Sequence, residues 1–418
     1  MSLFKDQFEI PSKYKTWSMA LMGIGVVSVL VGFFMYGTSS DETVNARFWG
    51  TMLQNSVYFL LICNASMFFI CATTLGMGAF QLAFRRVVEA ISVAVIPLGI
   101  VALIVLLSLI FGDKHHIYHW LDPKPDDKII LGKSVFLNRG FYIVWTILAI
   151  ALWAILGYKM RALSRQLDEN PIPDVETGKK YIFKNTIWAS LFLVWFALTV
   201  ASTIPWLWLM SIDAHWYSTM YSWYTFASTF VAGMSLIAIF VIYLKNLGYL
   251  PLVNEEHLHD IGKFMFAFSI FWTYLWFSQY MLIWYSNQPE ETIYFIDRIG
   301  NREHGNGFKG LFFLNIIINF ICPILILMRR GSKRNYTTVT FMAALIIFGH
   351  WLDFYQMVFP AITKDATGQT HANLNFFDFG VAAGFVGLIM FSVGRALTKA
   401  PLTAKNHPFY KESIIHHT

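Results

Sequence analysis

The chain reads as an all-α integral membrane protein with ten transmembrane helices. Three observations predict this. Of 418 residues, 56% are hydrophobic and only 13% are charged, whereas a soluble domain carries about 25% charged residues. Mean hydropathy is +0.52. Ten apolar segments recur along the chain, each of roughly 18 to 28 residues, and about 20 suffice to cross a bilayer.

The N-terminal segment 1–16, MSLFKDQFEIPSKYKT, is polar and lacks a short apolar core followed by a small-residue cleavage site, so the first span is expected to act as the insertion signal. The spans of a transmembrane domain at 17–397 centre near Val26, Leu61, Val101, Ile150, Val200, Ala238, Thr273, Ile318, Ile347 and Gly387. Pro97, Pro205 and Pro323 are expected to kink their helices. Residues 398–418 form a polar tail. No soluble domain is long enough to fold alone, and there is no short repeat. Two bundles of four helices with two outer helices accommodate this pattern, although spacing leaves the division open.

Orientation follows from basic residues. The N-terminus, the Arg85–Arg86, Lys159–Lys184, Lys245–Lys263 and Arg329–Arg334 loops and the C-terminus together hold 21 of the 31 Lys and Arg. The positive-inside rule places both termini in the cytoplasm. The net charge of +6 therefore reflects membrane sidedness rather than nucleic-acid binding. Cys63, Cys71 and Cys322 lie in apolar runs without CxxC or CxxCH spacing, which argues against cluster ligation or covalent haem attachment.

The most informative stretch is Phe341–Ile362, FMAALIIFGHWLDFYQMVFPAI. His350, Asp353 and Gln356 recur every third residue and share one helical face. Ionisable groups at membrane depth are costly and usually face a bundle interior or a wet cavity. His350 and Asp353 are thus candidates for carrying a proton or binding a quinol hydroxyl, with a polar clamp between helices as the plainer reading. Asp213 and His215, between the fifth and sixth spans, read as a proton exit or docking lip, or as incidental members of an aromatic belt. On the seventh span, Ser269, Thr273, Gln279, Tyr280 and Trp284 form an aromatic wall with a few polar groups, suited to a flat ring such as a quinone, though helix packing is the simpler and preferred explanation. Glu290 and Glu291 follow just outside.

Asn315, Asn319, Gln54, Asn55, Tyr58 and Asn64 are expected to bond between helices. Arg395 is expected to snorkel, and Asp378 is ambiguous. Only His350 lies clearly at depth. His115, His116, His119, His257, His259, His304 and His371 are assigned to loops, and His407, His416 and His417 to the tail. A haem held by two facing histidines is therefore not expected.

Three stretches carry a resemblance: MSIDAHWYSTMYSWY, IGKFMFAFSIFWTYLWFSQYMLIWYSNQPEE and GHWLDFYQMVFPA. They are similar to the membrane subunits of alternative complex III, a quinol:cytochrome c oxidoreductase, within the broader NrfD/polysulfide-reductase membrane family. The resemblance runs from about the second to the tenth span and is nearest to the second of that complex's two large NrfD-like subunits. It implies ten helices with two central four-helix bundles, in a bacterial inner membrane. It implies partners: a sister NrfD-like subunit, an external iron–sulfur subunit of molybdopterin-enzyme ancestry, multihaem and monohaem cytochromes c, small membrane subunits and a terminal oxidase. It implies menaquinol oxidation, with haem c and iron–sulfur clusters held by partners and none by this chain. It raises Asp213, His215, Gln279, Tyr280, His350 and Asp353 as site residues without assigning roles.

Three functions follow as expectations. The first is a proton-conducting, scaffolding subunit of a quinol-oxidising complex. The second is a subunit that itself binds and oxidises quinol, using the Gln279, Tyr280 and Trp284 wall. The third is a secondary transporter, for which Gly/Pro-interrupted helices at matched positions would be the signature.

Overall fold

The computed structural model describes residues 7–300, 307–364 and 369–416. His304 and His417 lie outside the described residues. The described chain is helical, with no strand beyond an isolated bridge between Lys364 and Thr370. Nine described helices are long and apolar enough to cross a membrane: α1 Ser12–Gly37, α2 Glu42–Leu75, α3 Arg85–Phe111, α4 Arg139–Glu169, α5 Val175–Asp213, α6 Met220–Asn246, α8 Lys309–Leu327, α9 Tyr336–Ile362 and α10 Phe376–Leu397. Between them, α7 (Glu255–Ser286) has 32 residues, but its Trp, Tyr, Ser and Gln content leaves it less apolar.

Capping chemistry explains most helix starts. Side chains of Asp41, Asn138, Asp174, Asn254, Asn335 and Asn375 each accept a backbone N–H in the first turn of α2, α4, α5, α7, α9 and α10. Two of the expected proline kinks take a specific form. Pro205 and Pro323 each follow a five-residue π-turn, Thr199–Thr203 and Ile317–Ile321, where the widened helix accommodates a ring that cannot donate a hydrogen bond.

Contacts close two rings. Helix α2 packs on α3 and α5, with α4 joining those two; α6 packs on α7 and α9, with α8 joining those two. Helix α2 also touches α6 and α9, so it runs through the middle and is buried along most of its length. Helices α1 and α10 pair with each other and lie against α2 and α3. Small residues set the closeness of that pair: a Cβ on Gly25 would collide with the backbone of Gly384. The outward faces of α1, α4 and α5 expose large apolar side chains, including Val27, Ile155 and Val194.

Several placements depart from expectation. Arg85 and Arg86 open α3 and are buried, rather than occupying a loop. Arg85 pairs with Glu89 at 2.9 Å, and Arg86 with Glu89 at 3.1 Å and Asp168 at 2.7 Å. His257 and His259 are buried in the first turn of α7, where His257 completes a capping box with Asn254. The tail folds back: Asn406 donates to the Leu167 carbonyl at 2.8 Å, and His416 bonds Asp260 at 2.6 Å.

Candidate proton-relay site

The polar stripe of α9 faces inward, against α6, α7 and α8. His350 and Asp353 are 0% and 1% exposed. They are not directly bonded: His350 Nδ1 lies 3.7 Å from Asp353 Oδ2 and takes its hydrogen bond with Ser228 Oγ at 2.9 Å. Asp353 accepts from three neutral donors. Tyr224 donates to Oδ1, Asn315 Nδ2 to Oδ1 at 2.9 Å, and Trp272 Nε1 to Oδ2 at 3.0 Å. Asn319 Nδ2 donates to Asn315 Oδ1 at 2.5 Å and so orients it. His350 Nε2 has no partner among the described residues, and its ring meets Trp272 edge-on. A carboxylate held by three donors beside an imidazole can exchange a proton without breaking an ion pair, because no Lys or Arg among the described residues pairs with it.

Gln356 contributes mainly through its backbone. Pro360 stands four residues later and has no N–H, so the Gln356 carbonyl lacks its helical partner. Arg298 takes that place, donating from Nε at 3.1 Å and Nη2 at 2.7 Å. Arg298 comes from the connecting helix Pro289–Ile299 and stacks on Tyr294, 3.4 Å from the ring centre. Asp353, Tyr224, Arg298, Gln356, Gln279 and Asn315 line one crevice. It is narrow, with room for about one water molecule.

On the side of the molecule reached from Arg298, an open vestibule of about 1110 Å³ is lined by Asp213, His215, His119, Glu290, Asp297 and Lys364. Asp213 and His215 thus share one cavity. His215 Nε2 bonds Asp127 Oδ2 at 2.7 Å, a partner from the loop between α3 and α4. Asp297 pairs with Lys364 at 2.8 Å. Burial raises the Asp297 carboxyl above its ordinary range, against the opposing pull of Lys364. Burial lowers His119. Asp297 in the vestibule and Arg298 in the crevice are adjacent residues, so one short helix borders both spaces.

The α7 wall divides. Gln279 is buried in the crevice with its Nε2 unpartnered among the described residues, and Tyr280 stacks on Trp276 at 6.0 Å between ring centres. Trp284 is 61% exposed and does not line the crevice. Ser269 is buried without a partner for its hydroxyl among the described residues, and Thr273 bonds its own helix.

The remaining polar residues sort cleanly. Gln54 donates to the Trp351 carbonyl at 3.0 Å, Trp351 donates to Asn55 at 2.8 Å, and Tyr58 donates to the Ile347 carbonyl at 2.6 Å. These bonds clamp α2 to α9. Asp378 pairs with Arg47 and accepts from Thr51, both from α2, at 2.8 Å and 2.7 Å. Asn315 and Asn319, expected only to hold helices together, belong to the Asp353 network. Tyr224, Ser228, Trp272 and Arg298 were not legible as site residues, since each reads as an ordinary helix residue until the helices meet. The spacing of Pro360 from Gln356 was the one available signal for Arg298.

No protein-family model matches this chain, and no curated protein matches it.

Proposed function

We propose that the chain is a proton-conducting and scaffolding subunit of a menaquinol-oxidising respiratory complex of the alternative complex III type. The observation that carries the proton role is the buried His350–Asp353 pair, served by Tyr224, Ser228, Trp272 and Asn315, with Asp353 also lining a crevice that has room for about one water molecule. A water beside Asp353 suits a proton relay. Asp353 would exchange with His350 through Ser228 or water, and with the vestibule through the crevice bordered by Arg298. The assignment to a quinol-oxidising complex rests on the resemblance of the three sequence stretches.

In this reading α7 also spans, so ten helices cross the inner membrane of a bacterium with both termini in the cytoplasm. The two contact rings, α2–α5 and α6–α9, are then the two four-helix bundles, with α1 and α10 outside. The partners are a sister NrfD-like subunit, an external iron–sulfur subunit, cytochromes c, small membrane subunits and a terminal oxidase. They hold the haem c and iron–sulfur clusters, and electrons pass through them. In vesicles containing the purified complex, Asp353→Asn or His350→Ala is expected to lower protons moved per electron while assembly survives. Unchanged stoichiometry in both variants refutes the proton role.

A second reading has one observation in its favour. Gln279 offers an amide nitrogen without a partner among the described residues, beside the stacked Trp276 and Tyr280, which suits a quinol ring once the crevice widens. Photo-labelling with an azido-quinone separates the two: labels on α7 or α9 support a quinol site here, and labels confined to a sister subunit exclude it.

A further inference from the structure

Between α4 and α5, at the end where their connecting loop runs, a groove of about 1130 Å³ is lined by Tyr158, Lys159, Arg161, Arg165, Lys184 and Trp188. Glu169 is the one carboxylate on its wall. Four cations there face one acid, whereas other basic residues are paired. Arg47, Arg86, Arg139 and Lys364 each have a carboxylate within 2.8 Å. None of the four groove cations forms an ion pair among the described residues.

Arg161 is the most telling of them. It is 5% exposed, and its Nη1 donates to Ser92 Oγ at 2.9 Å. The carboxylate that acts on it, Glu89, is already paired with both Arg85 and Arg86; a buried guanidinium with only a shared counter-charge is costly, so its place on the groove wall favours a further anion. Lys159 Nζ sits 5.9 Å from the centre of the Trp188 ring, and Tyr158 is exposed beside it. Aromatic rings of this kind concentrate at the membrane–water boundary. Below them the same helix stripes become purely apolar and outward-facing, with Ile155 on α4 and Ile187, Leu191 and Val194 on α5.

We infer that this groove binds the phosphate headgroup of an anionic phospholipid, with the acyl chains lying along the apolar stripes of α4 and α5. The shared chemistry is a phosphate among cations. The adjoining apolar surface selects a lipid over a free phosphate. The positive-inside reading puts the groove on the cytoplasmic side, where anionic lipids attract basic clusters. This inference is independent of the proton role, since the groove shares no residue with the crevice.

The test is native mass spectrometry of the full delipidated chain in detergent, titrated with dioleoyl phosphatidylglycerol, dioleoyl phosphatidylcholine or glycerol 3-phosphate. Phosphatidylglycerol is expected to bind at least tenfold more tightly than phosphatidylcholine, and glycerol 3-phosphate should not compete. Arg165→Gln with Lys184→Gln removes two cations that are not buried, and is expected to weaken phosphatidylglycerol about 30-fold at about 1 kcal/mol per charge. Lys159→Gln alone, at an exposed position, should cost about fivefold. Equal affinity for the two lipids, affinity unchanged in both variants, or competition by glycerol 3-phosphate at the lipid's own concentration would each overturn the inference.

Discussion

Asp353 and Asp378 are both buried acids, and they are held in opposite ways. Asp378 faces Arg47 at 2.8 Å and Thr51 at 2.7 Å, and its own carboxylate caps the start of α10. Asp353 sits among a phenol, an indole and a primary amide, with an imidazole 3.7 Å away. The first arrangement ties a charge to a matching charge and fastens α10 to α2. The second surrounds an acid with neutral donors and ties it to no cation among the described residues. Depth alone therefore does not distinguish the two acids; the nature of their partners does.

The largest expected effect tests that contrast directly. Asp378→Asn leaves Arg47 buried without its counter-charge, which should cost about 3–5 kcal/mol. Asp353→Asn strands no cation and should cost only about 1–2 kcal/mol. Thermal unfolding of the detergent-solubilised chain measures both. Equal losses would make Asp353 a structural acid and erase the distinction.

The next effect is functional. Tyr224→Phe removes one donor to Asp353 while keeping the ring, and should lower proton translocation less than Asp353→Asn does. Thr51→Val, the matching change beside Asp378, should leave translocation unchanged in vesicles. If Thr51→Val lowers it as much as Tyr224→Phe, the two acids do not differ in role.

A smaller effect probes the crevice wall. Arg298→Gln should cost about 1–2 kcal/mol by abandoning the Gln356 carbonyl. Pro360→Ala restores a backbone N–H to that carbonyl, so the double variant should recover part of the loss. A double-mutant cycle without coupling would show that Arg298 is not there to satisfy the carbonyl.

The smallest effect is confined to the tail. Burial, reinforced by Arg85 and Arg86, lowers His407 from 6.5 to about 3. Its ring rests edge-on against Tyr181. A depressed histidine contributes stability that is complete above its ordinary value and lost as pH falls from about 6.5 toward 3. Limited proteolysis should therefore cut the tail faster at pH 4 than at pH 7. His407→Gln should flatten that dependence.

Much of the fold was legible because hydrophobic length is a one-dimensional property. Nine of the ten expected spans meet it outright, and the tenth, α7, forms a full helix whose aromatic and polar side chains dilute its hydropathy. The spacing of His350, Asp353 and Gln356 correctly put all three on one inward face. The same local reading misjudged Arg85 and Arg86, because a basic pair beside an apolar run looks like a loop until Glu89 and Asp168 approach it. It also grouped Trp284 with Gln279 and Tyr280, although Trp284 turns outward.

By itself the sequence determined that this chain belongs in a membrane, roughly where its apolar helices centre, and that His350 and Asp353 sit deep within one of them. Those are matters of composition and period, written along one strand of residues. Only the tertiary structure decided that Asp353 would meet Tyr224, Trp272 and Asn315 while Asp378 met Arg47, because these partners come from helices distant in the chain. Hydrogen bonds act over about 3 Å, so the character of each acid is set by which helices pack against it.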